Sequence, residues 1–225
     1  MSNQASSQPN AARRARRPTA DERREAILRE GLRCFAAHGF SGTTTREVAA
    51  RVGITEAALY RYFPSKESLY AAIIARKIET PSLVERLAED AARRDDLAVL
   101  TGVARGVLER GARDPEFVRI MFFTALESHE LAAPLFASHV GPLREFITRY
   151  VRQRIEEGAF RPIDPVLGAR AFLGMIRDHL IVCVVHDPAE IHRQPIERVV
   201  ATFVELFLTG IRADAAAQLE RSAAS

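Results

Sequence analysis

The chain has 225 residues, 47% of them hydrophobic and 27% charged, with a net charge of +3. That balance fits a globular protein with one large or two modest cores. No run of about 18 uncharged apolar residues is present to cross a bilayer, which excludes a membrane-spanning helix.

The charge is unevenly placed. Residues 1–70 carry 12 Lys and Arg against 7 Asp and Glu, a surplus of five, so residues 71–225 are two negative. Residues 1–18 hold Arg13, Arg14, Arg16 and Arg17, no acid, and no apolar stretch of the kind a secretory leader needs. Two readings stay open for this segment. Its Ser, Gln, Asn, Ala and Pro content suits a disordered, solubilising leader, and its arginines suit an arm that touches phosphates.

Thr19 and Glu22 have capping-box spacing and predict a helix with Ile27, Leu28, Gly31, Cys34 and Phe35 on one face, closing near Gly39. Thr44 and Glu47 repeat that spacing and predict a second box, opening a short helix with Val48, Ala49 and Val52 inward. Gly53 follows where a helix exit takes positive φ, which glycine adopts without steric cost. Ile54 returns to the core, and Thr55 caps a third helix running to Tyr62. Two short helices about a Gly-containing turn are the signature of a helix-turn-helix.

The third helix divides by face. Leu59 and Phe63 point inward with Ile54 and Val52, leaving Glu56, Ala57, Ala58, Tyr60, Arg61 and Tyr62 outside. Small residues in the first turn let the backbone approach base edges, and Tyr60, Arg61, Tyr62 and Lys66 are able to donate to phosphates. The competing reading is a three-helix packing unit with half-buried tyrosines. An exposed Tyr-Arg-Tyr run followed by Lys is hard to explain as packing, and it favours nucleic acid.

Ser65 caps a fourth helix in which Leu69, Tyr70, Ile73 and Ile74 recur at helical spacing, running over 65–79 toward Pro81. Further helices fit 82–93, 96–113 and 115–128. Another begins near Leu131, bends at Pro134 or Pro142, and ends at Gly158. Asp114-Pro115 and Asp164-Pro165 each pair an Asp cap with a Pro whose missing N–H costs nothing at the first helical position. Helices over 166–186 and 196–211 complete an all-α fold with neither strand pattern nor internal repeat.

Enzymatic chemistry is not expected. His129-Glu130 begins like a zinc-protease helix, but Ala133 stands where the second ligand belongs. His179, His186, Asp187 and His192 are too scattered to favour a metal site over a surface role. Phosphate-cradling glycine loops and a hydrolase nucleophile elbow are missing. Cys34 and Cys183, both in apolar patterns, read as buried thiols ahead of a disulfide or redox switch. No cofactor is called for.

From Thr19 to Ile74 the chain resembles the N-terminal domain of the tetracycline-repressor (TetR) family of bacterial regulators. The residues that carry the likeness are Phe35 through Phe40, Thr43 through Ala49, Val52-Gly53-Ile54, and Leu59 through Leu69. They cover about a quarter of the chain, and the remainder agrees only in size and helical content. The resemblance implies an N-terminal three-helix DNA-binding domain followed by a helical ligand-binding and dimerisation domain. It implies a DNA-contacting set of Thr44, Thr45, Arg46, Thr55, Glu56, Ala57, Ala58, Tyr60, Arg61, Tyr62 and Lys66. In that set Thr45 and Arg46 sit at the major-groove edge, and Lys66 clamps a phosphate. The chain departs from the family at Glu56-Ala57-Ala58, one acid and two methyls, which shifts base readout toward Arg46, thymine-methyl contacts and DNA shape.

The same resemblance implies a cytoplasmic homodimer joined through its last two helices. Residues 180 to 185 are apolar without a break, and Ile196, Val199, Val200, Phe203, Val204, Phe207, Leu208 and Ile211 form a wide stripe. Leu180, Val184, Val199, Val200, Phe203 and Phe207 are the candidate interface; a core within one chain is the alternative. Such a dimer reads a palindromic operator with half-sites about 34–36 Å apart or a multiple of that. An apolar effector pocket is expected from Phe117, Met121, Phe122, Leu126, Phe146 and Tyr150, closed by Phe172, Met175, Ile176 and His179. Taken singly, each of these also fits plain core packing.

The resulting expectation is an arm over 1–18, a helix-turn-helix domain over 19–66, an effector and dimer domain over 67–214 and a tail over 215–225. Its function is repression relieved by a small molecule, with the 65–79 helix as the lever. The alternative is an all-α ligand-binding or scaffold protein without sequence-specific DNA binding, in which Glu56 repels phosphates.

Overall fold

Side-chain caps define where the first helices begin. In the computed structural model, which describes residues 18–77, 82–127, 137, 140–186 and 193–213, α1 (Ala20–Gly42) opens on the predicted box. Thr19 accepts from the Glu22 amide at 3.1 Å, and the Glu22 carboxylate accepts from the Thr19 amide at 2.7 Å. The helix breaks at Gly39, whose φ of 71° and ψ of −178° lie in a region essentially reserved for glycine.

Only half of the second box forms. At α2 (Thr45–Val52), Thr44 accepts from the Glu47 amide at 3.2 Å, but the Glu47 carboxylate turns to Arg51, 3.4 Å away, and to the His38 ring at 3.6 Å. A Glu four residues before an Arg is the favourable orientation of a helical ion pair, and it competes with the neutral amide. Gly53 closes α2 in the left-handed region at φ 72°. Thr55 then caps α3 (Glu56–Tyr60), and Ser65 caps α4 (Lys66–Ala75) with Ser68 completing a box.

The helix predicted over 82–93 is broken at Leu87 into α5 (Leu83–Arg86) and α6 (Ala88–Ala92). Leu87 turns into the core beside Gly102, where a Cβ would lie only 2.4 Å from its Cδ2. The long helices α7 (Asp96–Arg113), α8 (Pro115–Glu127), α9 (Gly141–Glu156) and α11 (Ile196–Ile211) follow the predicted spans within the described residues. The expected start near Leu131 and bend at Pro134 lie outside them. Asp114 and Asp164 cap as predicted, Asp164 accepting from Val166 and Leu167 amides at the head of α10 (Pro165–Ile181). That helix ends in a π-helical turn, Val182–His186, which sequence periodicity did not indicate. Among the described residues no helix is long and apolar enough to cross a membrane.

Two apolar cores result. The body core joins Val99, Val103 and Leu108 of α7 with Ile147 of α9, Phe172 and Ile176 of α10, and Val204 of α11. One polar staple supports it: Asp96 accepts from Tyr150 Oη at 2.7 Å and from Arg154 Nε at 2.8 Å. Burial, then the Asp96 carboxylate, hold the Tyr150 phenol well above the ordinary tyrosine range, so it stays a donor. The head core joins Ile27, Phe35, Val48, Leu59, Phe63, Leu69 and Tyr70, and it also takes in Phe117 and Ile120 of α8. The line expected at 66/67 therefore runs through a core instead of between cores.

Gly39→Ala is expected to destabilise the protein by about 1–3 kcal/mol from its backbone conformation alone. A Cβ there would also sit 2.1 Å from Glu127 Oε1 and force that side chain away. Urea unfolding of the two proteins side by side measures the loss.

Candidate nucleic-acid interface

The turn through Gly53, Ile54 and Thr55 sets α2 and α3 so that Leu59 is fully buried while Thr44, Arg46, Thr55, Ala57, Tyr60 and Arg61 are exposed. The Arg46 side chain is 87% exposed. Ala58 and Tyr62 are half-buried, and Tyr62 packs against the head core with Val52 and Ile54. The structure thus moves Tyr62 from the expected outer face to the flank of the core.

A polar chain runs across the junction of the two helices. The Thr45 hydroxyl donates to Glu56 Oε1, and Glu56 Oε2 lies 3.8 Å from Arg46 Nε. Thr45 Oγ1 is 3.1 Å from the Tyr60 hydroxyl. A threonine has one proton to give; with that proton on the carboxylate, Tyr60 donates to Thr45. Thr45 is 8% exposed, so its side chain belongs to this internal chain and not to the groove edge where it was expected. Both oxygens of Glu56 thus face partners within the protein, the Thr45 hydroxyl and the Arg46 guanidinium.

Lys66 is also redirected. Its ammonium donates to the carbonyls of Phe40, at 2.9 Å, and Thr43, at 3.1 Å, and lies 4.3 Å above the Phe40 ring. Carbonyls at the end of α1 need donors, and Lys66 supplies them where a phosphate clamp was anticipated.

The head is seated on α8. The break at Gly39 frees groups of α1, and Glu127 accepts from the Phe40 amide at 2.9 Å and the Ser41 amide at 3.4 Å. Arg119 donates through Nε to the Ala36 carbonyl at 2.8 Å and through Nη1 to the Val184 carbonyl, in the π turn, at 3.3 Å. Thr124, fully buried, pairs with the Tyr70 hydroxyl of α4. Lys77 pairs with Asp114, and Arg110 donates to the Lys77 carbonyl. Sequence reading missed Arg119, Thr124 and Glu127, because long-range polar partners leave no periodic signal. It placed the lever in α4, whereas α1 and α8 make the larger contact.

The expected effector residues do not gather around one cavity. Phe117 and Met121 pack into the head core, while Phe146, Tyr150, Phe172, Met175 and Ile176 belong to the body core. Phe122 is half-buried, and Leu126 is 81% exposed. His179 is half-buried, edge-on to Phe203 at 5.9 Å, with the Cys183 sulfur 3.4 Å from Nε2. The split follows from helix geometry, since the aromatics of α8 occupy more than one face. The clefts among the described residues include one of 630 Å³ between α7 and α11 and one of 460 Å³ between α10 and α11. Met175 lines the second. His186 is exposed; Asp187 and His192 lie outside the described residues. Cys34 and Cys183 are both free and buried, and burial, with Glu47 nearby, pushes the Cys34 thiol up to about 11.

The terminal stripe is likewise reassigned. Leu180, Val184, Val199, Val200 and Phe207 are buried within the single chain, and Phe203 packs partly against the same core. Leu180 presses on the bare backbone of Gly111 in α7, where a Cβ would meet it at 2.4 Å. The intramolecular alternative accounts for the stripe, because α7 and α10 need its cover. The apolar face left outside comprises Leu206, 61% exposed, with Val166 and Leu167 of α10 beside half-buried Leu173 and Met175.

Residues 27–73 match the bacterial regulatory proteins of the tetR family, and residues 98–210 match the C-terminal domain of AefR-like transcriptional repressors. The HTH-type transcriptional repressor AcnR of Corynebacterium glutamicum is 29% identical over 162 residues, 70% of this chain and 79% of its own. The nucleoid occlusion factor SlmA of Photobacterium profundum is 31% identical over 165 residues, 70% of this chain and 82% of its own. The crystal structure of AibR in complex with isovaleryl coenzyme A and operator DNA superposes with a TM-score of 0.61 at 26% identity, over 82% of this chain and 97% of that one. A TetR-like regulator from Rhodococcus sp. RHA1 shares the fold, with a TM-score of 0.62 at 20% identity over 87% and 98% of the two chains. With an exposed helix-turn-helix on a helical body, these matches define the protein as a transcriptional regulator. The chain belongs to the tetR family of these proteins.

Lys66→Met is expected to lower the stability of the protein without DNA by about 1–3 kcal/mol, the scale of hydrogen bonds from a charged donor. A variant that melts with the parent would return Lys66 to the phosphate role.

Proposed function

We propose that the protein is a homodimeric repressor that holds a palindromic operator and leaves it when a small molecule binds the body. The observation that carries the reading is the exposed Arg46–Tyr60–Arg61 face, with its one acid already paired inside the protein. The AibR complex, crystallised with both an acyl-CoA and operator DNA, supports a two-ligand mechanism for the same architecture. Arg46 and Arg61 are the DNA-contacting side chains, Thr44, Thr55 and Ala57 line the approach, and Thr45, Glu56 and Tyr60 hold the edge together. Arg13 to Arg17, outside the described residues, would add phosphate contacts from the arm.

Assembly is proposed through the exposed face of α10 and α11 around Leu206 and Leu167, beside the interface first expected from the stripe. A ligand relieves repression only if it prefers the state that misplaces the two heads. The seam on α8 offers the route: Arg119 touches both the end of α1 and the π turn that follows α10. The body core around Phe172, Met175 and Ile176, beneath that face, is the proposed effector region.

Electrophoretic shift with the DNA flanking its own gene tests the reading, and failure to retard that DNA at low salt while retaining the fold would count against it. Arg46→Ala is expected to weaken specific binding by about 1–3 kcal/mol if the side chain reads a base, with the fold intact. Leu206→Glu is expected to shift sedimentation from dimer to monomer at unchanged helical content, because a carboxylate in a desolvated interface is costly. An unchanged dimer would move the interface elsewhere.

A further inference from the structure

Resting on that DNA-binding reading, we propose that Glu56 is a positioning residue for base readout: it aims Arg46 at a guanine and penalises unspecific contact with phosphates. One carboxylate oxygen is held by the hydroxyl of Thr45, itself 8% exposed and backed by Tyr60. The other lies 3.8 Å from Arg46 Nε. The carboxylate is thus anchored from inside the protein and offers its free side to an arginine that is otherwise in solvent. Engagement through Nε leaves both terminal nitrogens of the guanidinium for a partner. Two parallel donors match O6 and N7 of guanine, the commonest specific contact in the major groove.

An arginine destined for the backbone gains nothing from this arrangement. A neighbouring carboxylate lowers the positive potential that phosphates seek, and an exposed pair at this distance adds little to stability. Placed here, the acid makes sense as a device of selectivity, weakening every duplex and being offset only where a guanine completes the guanidinium's bonding.

The test uses the full chain and a duplex selected by the wild type from a random library. Affinities at one salt concentration are compared for this duplex, for copies carrying 7-deazaguanine at single guanines, and for an unrelated duplex. For the wild type, loss of N7 at one guanine per half-site weakens binding. Glu56→Ala is expected to lose roughly tenfold or more of its preference for the selected duplex, while binding the unrelated duplex as well as the parent or better. In an Arg46→Ala background the Glu56 substitution is expected to change the preference no further. Glu56→Gln, which keeps an acceptor for Thr45, falls between and guards against a misfolded alanine variant. Full preference in both Glu56 variants, or effects of Glu56→Ala and Arg46→Ala that simply add, would overturn the proposal while leaving DNA binding intact. A folded wild type that retains no duplex at all would overturn the DNA-binding reading itself.

Discussion

Phe40 gives its amide to Glu127 of α8 at 2.9 Å and its carbonyl to Lys66 of α4 at 2.9 Å. Its ring stacks with Phe35 and meets Tyr70 edge-on at 5.2 Å. At this one residue α1, α4 and α8 are joined by backbone groups that a straight helix would have satisfied internally. The arrangement exists because Gly39 adopts a conformation that turns the chain out of the helix. Position α1, and the helix-turn-helix packed on it follows, since Ile27, Phe35, Val48 and Leu59 share one core.

The seam combines apolar and polar contacts. Apolar burial, at about 1.5–3 kcal/mol for each large side chain, secures the head and the body individually. Across the seam Phe117 and Ile120 of α8 enter the head core, and beside them stand Arg119, Thr124 and Glu127, whose hydrogen bonds contribute about 1 kcal/mol apiece, or somewhat more where a charge takes part. Differences of a few kcal/mol are the range within which a ligand preferring one state shifts a population. The π turn places the Val184 carbonyl within reach of the same arginine that holds Ala36, and such turns recur at functional sites.

Periodicity made the helices legible, and cap residues fixed several of their ends. Thr19, Gly53, Thr55, Ser65 and Asp164 act as their chemistry requires, and the α3 face was divided correctly at Leu59 and Phe63. What pattern could not reveal was the choice among partners. Nothing local says that Glu47 prefers Arg51 to a backbone amide, or that Lys66 finds two carbonyls before it finds a phosphate. The stripe on α11 was real, yet periodicity reports that a face is buried and not whose surface buries it. The large apolar residues of α8 were divided between head core, flank and solvent for the same reason. Glu56 illustrates the limit most directly, being a liability when read alone and an organiser once Thr45 and Arg46 stand beside it.

The entry of Phe117 and Ile120 into the head core bears on how such proteins are recombined. A chimaera cut after α4 would carry every DNA-facing residue and still leave a void where two large side chains from a distant part of the chain belong. Its new body would have to supply matching bulk at the same height on the helix beneath α1. Specificity for a site and responsiveness to a ligand are therefore not freely interchangeable cassettes in this architecture. Exchange at the level of the exposed α2–α3 surface, which leaves the seat of α1 on α8 in place, transfers recognition with far less disturbance than exchange of the whole head.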